Sequence, residues 1–126
     1  MTDVTGFGLA GHALEMARGS DCAIHIDWAS VPCLGDARSL AAKGFVTGAS
    51  ARNHQSYGGS IATPAGFAPE DLALRTDPQT SGGLLVSCAP DAVDDVTAVF
   101  ARHGFEAVGV IGTVKPAEGA VRLLIG

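Results

Sequence analysis

The chain has 126 residues, 47% hydrophobic and 17% charged, enough for a single domain with a core of its own. Its net charge is −5 and its eight Lys and Arg residues are scattered, so no basic stripe is available to a nucleic-acid backbone. No apolar run approaches the roughly 18 to 20 residues of a membrane span and no basic-then-apolar leader opens the chain, so the expectation is a cytoplasmic protein with neither nucleic acid nor membrane as partner.

The spacing of Leu9, Ala13, Met16 and Ala17 predicts a helix over residues 9–18, with Arg18 in its last turn and Gly19 as its stop. Residues 22–26 predict a short strand ending at Asp27, and residues 36–43 a short helix. Residues 47–69 mix Gly, Ser, Ala, Asn, Pro and Thr with little periodicity, which predicts a long, partly ordered loop before order returns at Leu72. The apolar run 83–88, entered through Thr80-Ser81-Gly82-Gly83 and closed by Pro90, predicts a buried strand. Val93, Val96, Val99 and Phe100 have helical spacing, Arg102 and His103 lie in the last turn, and Gly104 stands at the stop. Residues 107–114 and 121–125 predict two strands joined through Lys115-Pro116-Ala117-Glu118-Gly119, so the tail reads β-α-β-β. The sum is an α/β domain with a mixed sheet and helices on its faces. Cys22, Cys33 and Cys88 are odd in number and form no C-x-x-C pair, so they are expected as reduced structural thiols without zinc or a disulfide.

Chemistry concentrates at the start of the chain. In Thr2-Asp3-Val4-Thr5-Gly6-Phe7-Gly8-Leu9-Ala10-Gly11 a carboxylate stands three positions ahead of a glycine-rich opening to an apolar helix. Such a loop lets backbone N–H groups approach an anion, the helix adds its positive end, and Asp3 offers the hard oxygen that a divalent cation takes. Gly6, Gly8 and Gly11 also make a formal G-x-G-x-x-G with Asp27 near the place for ribose recognition. That dinucleotide reading lacks the apolar strand it needs ahead of the loop. No strand is expected there, because Met1 lies two residues before Asp3, so the chain is expected to be the C-terminal portion of a longer protein whose first elements lie elsewhere.

Thr2-Asp3-Val4-Thr5-Gly6-Phe7-Gly8-Leu9-Ala10-Gly11-His12, followed far downstream by Asp77-Pro78-Gln79-Thr80-Ser81-Gly82-Gly83-Leu84-Leu85, closely resembles selenophosphate synthetase, also called selenide, water dikinase. Gly48-Ala49-Ser50-Ala51-Arg52-Asn53 is similar to a degenerate form of that family's central glycine-and-asparagine segment. The resemblance extends over essentially the whole chain but only the C-terminal part of the family. It implies the fold of the aminoimidazole ribonucleotide synthetase superfamily, partly ferredoxin-like, with a missing N-terminal catalytic domain. It also implies a reaction in which ATP and selenide give selenophosphate, AMP and phosphate, with magnesium bridging the nucleotide's phosphates, and a homo-oligomer.

On that resemblance Asp3 is the metal ligand contributed by this part, and Thr5, Gly6 and Gly8 lie near the phosphates of ATP. No catalytic thiol is assigned, and the chain alone is expected to be inactive. Plainer alternatives stand beside each assignment. Asp3 is also an ordinary acid ahead of a helix N-terminus, and Thr5, Gly6 and Gly8 also suit a turn that starts a helix. His12 is expected to be capped or half-buried, with no carboxylate at a useful spacing. The 77–83 segment is expected to be structural, and Arg52 and Asn53 fall in the loop that could act as a lid. His25, His54, His103 and Trp28 carry no signal. Rival readings are a sister enzyme of the superfamily, of the purine-synthesis ligase or thiamine monophosphate kinase type, and a non-catalytic module that self-associates.

Overall fold

A computed structural model describes residues 1–126. The elements run β1 (Thr2–Asp3), α1 (Gly8–Gly19), β2 (Cys22–Ile26), α2 (Ala37–Ala42), α3 (Gly48–Tyr57), β3 (Ile61–Ala62), α4 (Pro69–Arg75), β4 (Leu84–Leu85), α5 (Val93–Arg102), β5 (Gly112–Pro116) and β6 (Leu123–Ile125). Four strands form a mixed sheet in the order β3-β6-β2-β5, with β6 parallel to both β3 and β2, and β5 antiparallel to β2. A second, two-stranded sheet pairs β1 antiparallel with β4, Thr2 opposite Leu85 and Asp3 opposite Leu84.

The core lies between α1 and the four-stranded sheet. Ala10, Ala13, Leu14 and Ala17 bring one face of α1 onto Ile24, Ile26, Leu123, Ile125 and Ile61, with Trp28 closing one end. Three alanines on that face let the helix backbone approach the strands closely, while Leu14 supplies bulk and about 2 kcal/mol of burial free energy.

Several sequence expectations need correction. A strand does precede the glycine loop: β1 is held by β4 and by the Val4 N–H on the Gly83 carbonyl (2.9 Å). Gly19 is the last residue of α1 rather than its stop, and the left-handed turn falls on Asp21 (φ 48°), whose carboxylate pairs with Arg122 at 3.0 Å. The expected loop 47–69 contains α3, capped by the Thr47 hydroxyl accepting from the Ser50 N–H, as well as a 3₁₀ turn and β3. The helix α4 begins at Pro69, a favoured first helical residue. The expected buried strand at 83–88 is only two residues of an edge, with Leu84 53% exposed. Residues 112–116 and 123–125 are strands but not neighbours, because β2 runs between them and the tail is not a β-α-β-β unit. Cys33 and Cys88 are exposed and hold no core.

The helix predicted from Asp91 is α5, which begins at Val93 after a 3₁₀ turn over Pro90–Ala92 and is stopped as expected at Gly104 (φ 82°). Its apolar face is not buried. It lines an open groove of about 310 Å³ with Met1, Leu84 and Val86.

Candidate functional site

The glycine loop leaves the two-stranded sheet at Val4, which is buried, and enters α1 at Gly8. Gly8 has φ 71°, and a Cβ there would lie 2.7 Å from the Thr76 carbonyl carbon and 2.8 Å from the Asp77 oxygen. Only glycine both takes that left-handed conformation freely and lets the loop close on the 76–77 backbone. Gly82 serves from the other side, since a Cβ on it would overlap the Val4 carbonyl oxygen.

Each carbonyl of the loop is engaged. Thr5 O accepts from Gly8 N–H (3.0 Å) and Gln79 N–H (3.0 Å). Gly6 O accepts from Asn53 Nδ2 at 2.8 Å, and the same amide donates to Thr76 O at 2.9 Å. Phe7 O accepts from the Tyr57 hydroxyl, whose oxygen faces the Gly11 backbone N–H. By contrast the N–H groups of Gly6, Phe7, Leu9 and Ala10 find no acceptor within the protein, and α1 has no side-chain cap. Unused amides at the positive end of a helix are what a phosphate or carboxylate group requires.

Asp3 sits at the end of β1, exposed, and its carboxylate has no hydrogen-bond or ion-pair partner in the chain. No three His, Cys, Asp or Glu side chains come together anywhere. The donor chemistry therefore fits one ligand of a magnesium ion that takes its other oxygens from phosphates, water and further carboxylates, and does not fit a self-contained cage.

His12, 8% exposed, is buried in the first turns of α1 and not half-exposed. Its Nε2 lies 3.1 Å from Thr5 Oγ1. Its Nδ1 lies 3.7 Å from Glu15 at i+3, which corrects the expectation of no carboxylate at a useful spacing. Thr5 is thus tied by side chain and carbonyl alike. Arg52 is exposed on α3 and bonds nothing, whereas Asn53 belongs to the loop's scaffold, not to a lid. Asp77 takes the Thr47 hydroxyl at 3.2 Å and Gln79 N–H donates to Thr5 O at 3.0 Å, so the 77–83 segment is held against the glycine loop and α3. Asp27 accepts from Ala29 N–H and the Ser30 hydroxyl, capping a 3₁₀ turn, and β1 and β2 lie in different sheets, which leaves the dinucleotide reading without its framework.

Two residues with no sequence signal complete the scaffold. Burial pushes the Tyr57 phenol up to about 12, against the opposing pull of the Gly11 N–H and of Arg75. Burial likewise lowers Arg75, which is 2% exposed, donates to the Thr63 hydroxyl, lies 5.7 Å from the Phe67 ring centroid and has no carboxylate partner. Thr47, whose hydroxyl caps α3, is the residue type at this position that could mark the start of the helix.

The family described as AIR synthase related protein, C-terminal domain, matches residues 1–124. The chain belongs to this family. A selenide, water dikinase of Paraburkholderia xenovorans is 52% identical over 124 residues, 98% of this chain and 35% of the relative. One of Pseudomonas straminea is 48% identical over all of this chain and 35% of its own length. One of Rhizobium meliloti is 42% identical over 98% of this chain and 36% of the relative. The chain spans about a third of the length of the curated relatives it matches. The mixed sheet with helices against it is the fold that the family match and the sequence reading both lead to.

Proposed function

We propose that residues 1–126 form the C-terminal part of a selenide, water dikinase, the portion that holds one metal ligand and a phosphate-facing loop. The whole enzyme would convert selenide and ATP to selenophosphate, AMP and phosphate. The observation that carries this reading is the similarity along nearly the entire chain to proteins of that name, 52% identical in one case. The geometry of the glycine loop supports it: the free amides of Gly6 and Phe7 and the unpaired carboxylate of Asp3 lie on the same short stretch of chain.

In this reading Asp3 is a ligand to magnesium, and the loop of Thr5, Gly6 and Gly8 accommodates ATP phosphates. Bound magnesium would neutralise charge on the transferring phosphoryl group. The chain's own residues bind and orient. Loop amides donate to phosphate oxygens, and the Thr5 hydroxyl, steadied by His12, stands at the loop's entrance. The remaining metal ligands and the group that handles selenium belong to an N-terminal domain outside these residues. A cytoplasmic, homo-oligomeric enzyme completes the proposal.

The test is a chimera in which residues 1–126 replace the matching third of the Paraburkholderia xenovorans relative. Selenide-dependent AMP formation that is lost on Asp3→Asn supports the assignment. AMP formation indifferent to selenide, or unaffected by Asp3→Asn, overturns it.

A further inference from the structure

The side chains that reach the glycine loop from α3 are spaced one helical turn apart. Asn53 and Tyr57, at i and i+4, share one face of α3 and meet successive carbonyls of the loop, Gly6 O and Phe7 O. In a trans peptide the C=O of one residue and the N–H of the next point in opposite directions, and the chain has no cis bond. Holding Gly6 O toward α3 therefore turns the Phe7 N–H away from it. Holding Phe7 O toward α3 turns the Gly8 N–H away as well, onto Thr5 O, and Thr5 O so engaged sends the Gly6 N–H outward. Of the four amides left free, Gly6 and Phe7 are the ones whose directions these contacts set.

Close packing adds a second constraint. Gly11 has no Cβ, and one placed there would lie 3.1 Å from the Tyr57 hydroxyl oxygen. Glycine at this position lets the phenol enter the first turn of α1, between Phe7 O and Gly11 N–H.

We infer that Asn53 and Tyr57 are positioning residues that aim the loop's free amides, a role that rests on the phosphate-binding reading of the loop. Neither side chain touches phosphate. Both act through the carbonyls they hold.

The experiment compares the 126-residue chain with Asn53→Ala, Tyr57→Phe and Ser50→Ala. Ser50 lies on the same helix, but its hydroxyl bonds Ala73 O and Thr76 Oγ1 and does not touch the loop, so its variant reports general loosening of α3. Residual dipolar couplings give the Gly6 and Phe7 N–H directions, and titration with magnesium tripolyphosphate gives affinity. The expected result is that both N–H directions rotate in Asn53→Ala and Tyr57→Phe with affinity weakened about tenfold, the loss of about one well-directed hydrogen bond, while Ser50→Ala leaves both unchanged. Unchanged directions in the two loop-facing variants overturn the proposal. So do rotated directions with unaltered affinity, or a Ser50→Ala variant that reproduces both effects. If the unaltered chain binds no tripolyphosphate yet the directions still rotate, the phosphate reading falls and the aiming role stands.

Discussion

Replacing Gly8 with alanine separates the loop's structural demand from its chemical one. The new side chain must adopt φ 71° and place Cβ 2.7 Å from the Thr76 carbonyl carbon and 2.8 Å from the Asp77 oxygen, both backbone atoms that cannot swing aside. The left-handed conformation costs about 1–2 kcal/mol and forced overpacking about 1–3 kcal/mol. Gly8→Ala should therefore destabilise by roughly 2–5 kcal/mol, from a total of about 5–15 kcal/mol. At about 4 °C per kcal/mol for a domain of this size, Tm falls by roughly 8–20 °C. Gly6 is the matched control: it is exposed, its φ is not left-handed, and a Cβ there meets nothing within 4 Å. Gly6→Ala should stay within about 0.5 kcal/mol of the parent. Urea unfolding followed by the fluorescence of Trp28, the chain's one tryptophan and a core residue, measures both. A Gly8→Ala variant as stable as the parent, or a Gly6→Ala variant as damaged as Gly8→Ala, would refute the packing argument.

Tyr57, the chain's one tyrosine, has its phenol raised to about 12, so the fold favours the protonated form. The stability it contributes is complete below pH 10 and is lost as pH rises from 10 toward 12, of order 2 kcal/mol after allowance for partial exposure; stability should fall more steeply across that window in the parent than in Tyr57→Phe. Leu14→Ala empties a site that is 2% exposed and should cost about 2.7–5 kcal/mol. Val99→Ala, on the uncovered face of α5, should change urea stability by no more than about 0.5 kcal/mol, and a larger loss would mean that this face is covered in solution. Asp3→Asn removes a carboxylate with no internal partner, so Tm should hold within about 2 °C while the chimera's AMP formation disappears.

What the sequence made legible follows the kind of signal each element carries. The α1 and α5 helices announce themselves through apolar residues at helical spacing, and β2 through a compact apolar run. The α3 helix does not, because Gly48 to Tyr57 packs through small and polar groups. Ser50 is buried with hydrogen bonds to Ala73 and Thr76, and half-buried Asn53 bonds two carbonyls, so no hydrophobic stripe marks the helix. The same polarity hid Tyr57 as part of the site and left Asn53 assigned to a loop instead of a helix face. Helical periodicity does not by itself fix burial: α5 carries an apolar stripe, yet none of its residues is buried in this chain. Strand order was out of reach, since no local pattern in residues 107–125 tells that β2 inserts between the last two strands.

The two long motifs that carry the family resemblance, 2–12 and 77–85, are separated by some sixty residues in sequence but form one structural unit. β1 pairs with β4, Val4 N–H donates to Gly83 O, Gln79 N–H donates to Thr5 O, and Gly8 and Gly82 each stand where a Cβ would strike the backbone of the other motif. A change in either motif is therefore felt in the other, which explains on physical grounds why an apparently plain turn at 77–83 bears on the glycine loop. The arrangement also divides labour. Carbonyls, glycines, Asn53 and Tyr57 are consumed in holding the loop, whereas the Gly6 and Phe7 amides and the Asp3 carboxylate remain unspent. Opposite charges left over on one stretch of chain, donors at the helix end and an acceptor at the strand, suit a ligand that presents both an anion and a cation, which is the form in which a magnesium-bound phosphate arrives.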